Sequence, residues 1–315
     1  MTQPTEHWDP ELMPDFLVIG AGKSGTTSLN EYLRQHPDVY MCRKEPNFFA
    51  FEMYTAEDFE DPVDRAYYYQ AAHTLEQYQE LWRPAQKGQL KGDVSNTYMT
   101  HDPAYARIKH YLPEVKMIAI LRHPAERLFS RFAHIEREGS QMEELALERI
   151  WDSQSLWWHR PDLIPEGFYY KQLAPYFENF RRDQLRIYLY EEFTEDTERV
   201  FYEILEFLGL RTDVPIDTKV VYNKTGRVKN ALLHKLIGPN SLPIRVAKKL
   251  LPVPVKGTNW TLALRSKVHR LRSNNLKKTA IPAELKSRVT QEIYREDLER
   301  LQKLIGKDLS SWLQY

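Results

Sequence analysis

The nine residues Gly20-Ala21-Gly22-Lys23-Ser24-Gly25-Thr26-Thr27-Ser28 hold three glycines, one lysine and four hydroxyls. Glycines let successive backbone N–H groups turn inward as a nest, and a helix starting just beyond them adds the positive end of its dipole. Lys23 supplies a full charge and the hydroxyls supply donors, so the stretch reads as an anion-binding loop. The spacing of a nucleoside-triphosphate loop, G-x-x-x-x-G-K-[ST], requires glycine at position 17. That residue is Leu17, and the lysine here follows Gly20 by only three positions. A magnesium-dependent phosphate loop also needs an acid at the end of a neighbouring buried strand. The next apolar run, Met117–Leu121, ends instead in Arg122. Both departures point to an anion handled without magnesium and weigh against a kinase or ATPase.

The elements that must position such a loop can be read around it. Phe16–Ile19 is a fully apolar run and reads as a buried strand. A helix is expected from Thr26 or Thr27, with Leu29, Tyr32 and Leu33 on one face, ending at His36-Pro37. Met117–Leu121 is a second strand. Pro124 suits the first turn of a helix that should run to about Glu138. Leu185–Tyr190 reads as a third strand and Thr197–Leu208 as a helix with Val200, Ile204 and Leu208 aligned. Residues 55–87 look helical, and an amphipathic helix followed by a short terminal one is expected from Leu285 onward. Short apolar strands alternating with helices predict an α/β fold, a three-layer sandwich with a central parallel sheet flanked by helices. We expect a loose arm over residues 1–14 and a single domain over 15–315.

Composition closes off several classes. The chain has 315 residues, 42% hydrophobic and 28% charged, with 19 tyrosines and 7 tryptophans. That profile suits a folded globular protein rather than a disordered one. No apolar run approaches the roughly 20 residues of a membrane helix. Cys42 is the only cysteine, which excludes an intrachain disulfide framework and a cysteine-rich metal site. The opening residues show no basic segment followed by an apolar one, so no secretory signal is expected and the protein is expected to be cytoplasmic. Lys plus Arg and Asp plus Glu both number 44, yet residues 219–279 carry 15 basic residues and no acidic one. So one-sided a stretch is suited to meeting an anion or to lying solvated at the surface.

The run Phe16–Leu29 resembles the 5′-phosphosulfate loop of the sulfotransferases that use 3′-phosphoadenosine 5′-phosphosulfate (PAPS), above all the bacterial and Golgi carbohydrate-type branch. His36-Pro37-Asp38-Val39 and Lys44-Glu45-Pro46-Asn47-Phe48-Phe49 continue the likeness. Leu121-Arg122-His123-Pro124-Ala125-Glu126-Arg127-Leu128-Phe129-Ser130 resembles the family's 3′-phosphate segment. Gly167-Phe168-Tyr169-Tyr170, Tyr190-Glu191-Glu192-Phe193 and Phe207-Leu208-Gly209-Leu210 match later landmarks. Asn223-Lys224-Thr225-Gly226-Arg227 is similar to its cofactor-closing loop, and Leu304–Leu309 with Trp312 to its C-terminal end. The ordered set spans nearly the whole chain.

The resemblance implies a P-loop-NTPase-like sulfotransferase fold and a PAPS-dependent O-sulfotransferase that needs no metal. Lys23 would stabilise the leaving phosphate, the amides and hydroxyls of residues 24–28 would hold the 5′-phosphate, and Gly22, Lys23, Ser24, Gly25, Thr26, Thr27 and Ser28 would all bind the cofactor. Arg122 and Ser130, with Lys224, Gly226 and Arg227, would bind the 3′-phosphate side. Glu45 matches the family's base; His101, His110 and His123 stay open as alternatives. Two positions depart from the pattern: Asn47 stands where related enzymes often have histidine, and Val94 where some Golgi members have an active-site lysine. The acceptor is expected to be a hydroxyl on a glycan, a lipid-linked head group or a small molecule, with Trp151, Trp157, Trp158 and Tyr169 as candidate sugar-stacking rings. Peripheral membrane contact fits the basic stretch; nucleic acid is not an expected partner. The competing classes are a divergent P-loop kinase or NTPase, and a non-catalytic anion or nucleic-acid binder built around residues 219–279.

Overall fold

A computed structural model of the chain describes residues 8–42, 45–52, 54–59, 62–138, 144–220, 227–228, 276–277 and 281–314. The described residues fall into two compact units, one drawn from 1–131, 143–222 and 281–315, the other from 132–142 and 223–280. The first unit is built on five strands: β1 (Phe16–Gly20), β2 (Val39–Met41), β3 (Leu90–Val94), β4 (Lys116–Leu121) and β5 (Leu185–Leu189). All pair in parallel, in the order β2-β3-β1-β4-β5. In the second unit β6 (Arg227–Val228) and β7 (Leu276–Lys277) form a short antiparallel ribbon.

Helices fill the connections. They are α1 (Thr26–Leu33), α2 (Phe48–Phe51), α3 (Pro62–Gln70), α4 (Leu75–Glu80), α5 (Thr97–Thr100), α6 (Pro103–Tyr111) and α7 (Pro124–Glu138). There follow α8 (Leu156–His159), α9 (Tyr169–Asn179), α10 (Tyr190–Glu195) and α11 (Thr197–Leu208). The chain closes with α12 (Ala283–Val289), a π-helical turn over Thr290–Tyr294, α13 (Arg295–Ile305) and α14 (Ser310–Leu313). Among the described residues no helix is long and apolar enough to cross a membrane.

Strands buried on both faces explain the uninterrupted apolar runs. Alternate residues Val18, Ile118 and Ile120 pack with Leu29 and Leu33 of α1 and with Ile204, Leu205 and Leu208 of α11. Between them Leu17, Ile19, Met117 and Ala119 are fully buried toward the opposite layer, where α5 packs on β1. The expected strands at 16, 117 and 185 and the helices at 26, 124 and 197 are present. Strands β2 and β3 have no such run and are found only in the structure. The 55–87 stretch resolves into a short 3-10 turn, α3 and α4.

The C-terminal helices hold the turn that leads into α9. Asp297 of α13 accepts hydrogen bonds from the amides of Tyr170 (2.9 Å) and Lys171 (3.2 Å), occupying the helix's open N–H groups. Tyr294 donates to the Ile164 carbonyl at 3.0 Å, and its ring lies so close to Gly167 that any side chain there would strike it. Burial raises the Asp297 carboxyl to about 6, outweighing the two amide bonds that favour its charge. The folded state therefore holds this proton more tightly than the unfolded chain between about pH 4 and pH 6, and stability falls as pH rises through that window. Asp297→Asn should remove this loss, so the variant should gain on wild type by on the order of 2 kcal/mol between pH 4 and pH 6. Urea titrations at the two pH values measure the difference; a constant gap would contradict it.

Candidate active site

Three neighbouring strands, β3, β1 and β4, bring three candidate residues to one edge of the sheet. The C-terminal edge of a parallel sheet is where α/β folds bind ligands. Lys23 follows β1, Arg122 follows β4, and Glu45 is fixed at the end of β3 because its amide donates to the Val94 carbonyl at 2.8 Å.

The Gly-rich loop turns directly from β1 into α1. Lys23 and Gly25 both have positive φ, 64° and 90°, alternating with ordinary backbone as a nest requires. Gly25 also lacks the side chain that would crowd Phe193 and Tyr190. Ser24, Thr26 and Ser28 are buried, while Lys23 and Thr27 are half-buried. Gly22, one of the expected cofactor-binding residues, donates its amide to Glu166 Oε1 at 2.8 Å. Glu166 is buried and forms an ion pair with the fully buried Arg127 at 2.7 Å. Arg127 also donates to the carbonyls of Asp162 (3.1 Å) and Leu163. A Cβ at Gly22 would collide with the Glu166 carboxylate, so glycine is required there by contact rather than by φ. Beside this pair, Asp162 bridges Arg160 (2.7 Å) and Arg131 (3.4 Å). Burial pushes the Asp162 carboxyl up, but the guanidinium groups more than offset it and hold it below the usual range.

Glu45 sits in a polar column. Its Oε1 accepts from Asn96 Nδ2 at 3.0 Å, and both Glu45 (φ 59°) and Asn47 (φ 55°) have left-handed backbone. The Asn47 amide donates to Ser95 Oγ at 3.0 Å, and Thr97 Oγ1 donates to Asn47 Oδ1 at 2.8 Å. Below them Asp93 is fully buried and accepts from Ser95, Tyr78 and Tyr98, each at 2.7 Å. The strand beside β1 thus does carry an aspartate near its end, which the reading of Met117–Leu121 as the next strand misses. Both oxygens of Asp93 are engaged by hydroxyls. Val94, the other departure, packs into the apolar cluster with α1 and α11.

Arg122 stands 3.3 Å from Glu126 Oε2, with its guanidinium over the Tyr190 ring at 4.9 Å. Lys286 of α12 reaches the same carboxylate at 2.9 Å. Burial alone would raise the Glu126 carboxyl, yet the Lys286 hydrogen bond and the Arg122 charge bring it below its ordinary value. Ser130 is buried eight residues along. The Arg122 carbonyl accepts from Tyr169 Oη at 2.9 Å. Lys286 and Glu166 are absent from the sequence reading, because nothing local marks either one.

Lys224 and Gly226 fall outside the described residues, as does most of the basic stretch 219–279; Arg227 begins β6 in the second unit. Trp157 and Tyr169 are buried in the core and cannot stack on a sugar, and the Trp158 indole N–H donates to the Ile150 carbonyl. Trp151 carries Arg288 over its ring at 4.0 Å. The three histidines pack on aromatic rings: His101 on Phe51, His110 on Tyr111 and His123 on Trp312.

The model of the Sulfotransferase family matches residues 14–214. Mouse heparan sulfate glucosamine 3-O-sulfotransferase 3B1 is 27% identical over 216 residues, covering 68% of this chain and 50% of its own length. Mouse carbohydrate sulfotransferase 15 is 22% identical over 259 residues, covering 65% of this chain and 45% of its own. The chain thus spans about half the length of the curated relatives it matches. The crystal structure of a sulfotransferase from Alicyclobacillus acidocaldarius superposes with a TM-score of 0.65 at 25% identity, covering 95% of this chain and 98% of that one.

The buried brace under the loop yields a stability test. Glu166→Gln keeps an acceptor for the Gly22 amide but leaves Arg127 charged, buried and without its counter-ion. Breaking such a pair costs about 3–5 kcal/mol. Chemical denaturation of Glu166→Gln should show a loss of that order, and a loss below about 1 kcal/mol would mean the pair does not hold the loop.

Proposed function

The chain belongs to the sulfotransferase family, and we propose that it transfers the sulfuryl group of PAPS to a hydroxyl on a carbohydrate acceptor. The observation that carries this reading is the placement of Lys23, Arg122 and Glu45 at the ends of three adjacent strands, a cationic loop beside a carboxylate with a left-handed backbone. The carbohydrate acceptor is favoured by the heparan sulfate and carbohydrate sulfotransferases among the relatives.

In this reading the hydroxyls of Ser24, Thr26, Thr27 and Ser28 and the amides of the loop beyond Gly22 hold the 5′-phosphate. Arg122 and Ser130 take the 3′-phosphate. The acceptor oxygen forms a bond to sulfur as the bond from sulfur to the bridging oxygen breaks, and the acceptor's proton passes to the Glu45 carboxylate. Lys23 donates to the departing phosphate oxygen, where negative charge grows. An alcohol is far too weak an acid to ionise unaided near neutrality, which is why the site needs a base. Asn96 orients the carboxylate by donating to one of its oxygens.

Calorimetric titration of adenosine 3′,5′-bisphosphate without magnesium tests the nucleotide. Wild type should bind, and Arg122→Ala should lose roughly 10- to 100-fold, the worth of a charged hydrogen bond to phosphate. Absence of binding, with magnesium–ATP bound instead, would return the kinase reading. Transfer from sulfur-labelled PAPS is then measured on heparan sulfate, chondroitin and simple phenols. Glu45→Gln should cut the rate by about 10²–10⁴ while nucleotide affinity stays the same. Labelling of phenols alone would overturn the carbohydrate acceptor.

A further inference from the structure

Resting on the reading of Glu45 as the base, we infer that Asp93 and Ser95 are positioning residues for it. They form a buried polar column that sets where the carboxylate stands.

The directions of the hydrogen bonds are fixed by chemistry. The Asn47 amide can only donate, so Ser95 Oγ must accept from it, at 3.0 Å. The single proton of Ser95 is then given to Asp93 Oδ1, at 2.7 Å. Asp93 Oδ2 takes the hydroxyls of Tyr78 and Tyr98, so the carboxylate serves as acceptor to all three. This arrangement satisfies each of these groups, and burial makes an unsatisfied alternative costly. Asn47 is thereby pinned two residues from Glu45. Glu45 is held on its other side by its own amide on the Val94 carbonyl.

The pinned segment is one that would not keep its shape unaided. Glu45 and Asn47 both have φ near +55° to +60°, a region that side-chain-bearing residues rarely occupy. Such conformations persist where the surroundings over-determine them. Here the surroundings are the end of β3 and the column beneath it. Asp93, Ser95 and Asn96 lie within four residues at the end of that strand and its exit, so one short segment supplies the anchor, the relay and the donor to Glu45 Oε1. Thr97 completes it by donating to the Asn47 side chain. The groups facing Asp93 are Tyr78 of α4, Tyr98 of α5, Ser95 and, by its charge, Glu45 itself. Tyr98 adds a link to α9, since its carbonyl accepts from Tyr176 at 2.5 Å.

Ser95→Ala removes the relay with one oxygen atom and little change in volume; Ser95→Thr retains the hydroxyl. Transfer from PAPS is measured on the glycan that wild type turns over best, alongside calorimetry with adenosine 3′,5′-bisphosphate and amide hydrogen exchange of Glu45 and Asn47. Ser95→Ala should lower kcat at least tenfold at saturating PAPS, leave nucleotide Kd within twofold and speed exchange of the Asn47 amide at least tenfold. Ser95→Thr should restore kcat to within about threefold of wild type. An unchanged kcat in Ser95→Ala, or a nucleotide Kd that weakens in step with kcat, would overturn the positioning role. Full activity in Glu45→Gln would instead defeat the base reading and the inference with it. An inactive Glu45→Gln beside a fully active Ser95→Ala would defeat the inference alone.

Discussion

A carboxylate buried under a loop suited to an anion would be an unfavourable neighbour for one, and the fold resolves this with one ion pair. Glu166 neutralises Arg127 and in the same geometry receives the Gly22 amide. The carboxylate is thereby spent on the loop's own backbone and on a guanidinium that has no exposure to solvent. Replacing such a pair by apolar residues often costs little, so its contribution is best understood as one of placement rather than net stability. Gly22 is fixed by it, and everything the loop does afterwards, from Lys23 onward, starts from that point. The neighbouring Asp162, Arg160 and Arg131 extend the same scheme, acid and guanidinium alternating so that each charge of this cluster lies beside an opposite one.

The parallel sheet then converts chain order into a site. Because β3, β1 and β4 are adjacent, residues far apart in sequence meet at one edge: a segment after β2, a loop after β1 and a strand end at β4. Two of the three placements use left-handed backbone at residues other than glycine, Lys23 and Glu45. Strain of that kind has to be met by the surroundings, and each case has its own support: Glu166 and Arg127 beneath the loop, Asp93 and Ser95 beneath Glu45. Structural polar groups therefore lie directly under the chemically suited ones.

The parts of this arrangement legible in the sequence are those written in local pattern. Strands β1, β4 and β5 and helices α1, α7 and α11 follow from apolar runs and periodicity, and the loop from its glycines and lysine. Strand β3 was hidden because Leu-Lys-Gly-Asp-Val has no apolar run: its aspartate is buried at the expense of three hydroxyls, two of them from helices α4 and α5. Strand β2 has only three residues, too few for any period. Trp157 and Tyr169 are aromatic in a way that suits either a core or a sugar face, and only packing decides between them; both are core. Glu166 lies 144 residues from Gly22 and 39 from Arg127, so no motif connects them.

Charge balance at the β4 end bears on how a nucleotide would be received. Arg122 and Lys286 both reach the Glu126 carboxylate, and Glu191 adds a second negative charge close to Arg122. A phosphate monoester carries about −1.5 to −2 near neutral pH and presents three acceptor oxygens. It would therefore offer Arg122 more than Glu126 does, and the Glu126 carboxylate would keep Lys286 if Arg122 turned to such a ligand. The Tyr190 face under the guanidinium stabilises the cation without competing as a hydrogen-bond acceptor. Tyr169 meanwhile holds the Arg122 backbone through its carbonyl, so the side chain can turn while its root stays fixed. The pair at Glu126 orients Arg122 through one contact of 3.3 Å, a geometry suited to exchanging that carboxylate for a phosphate.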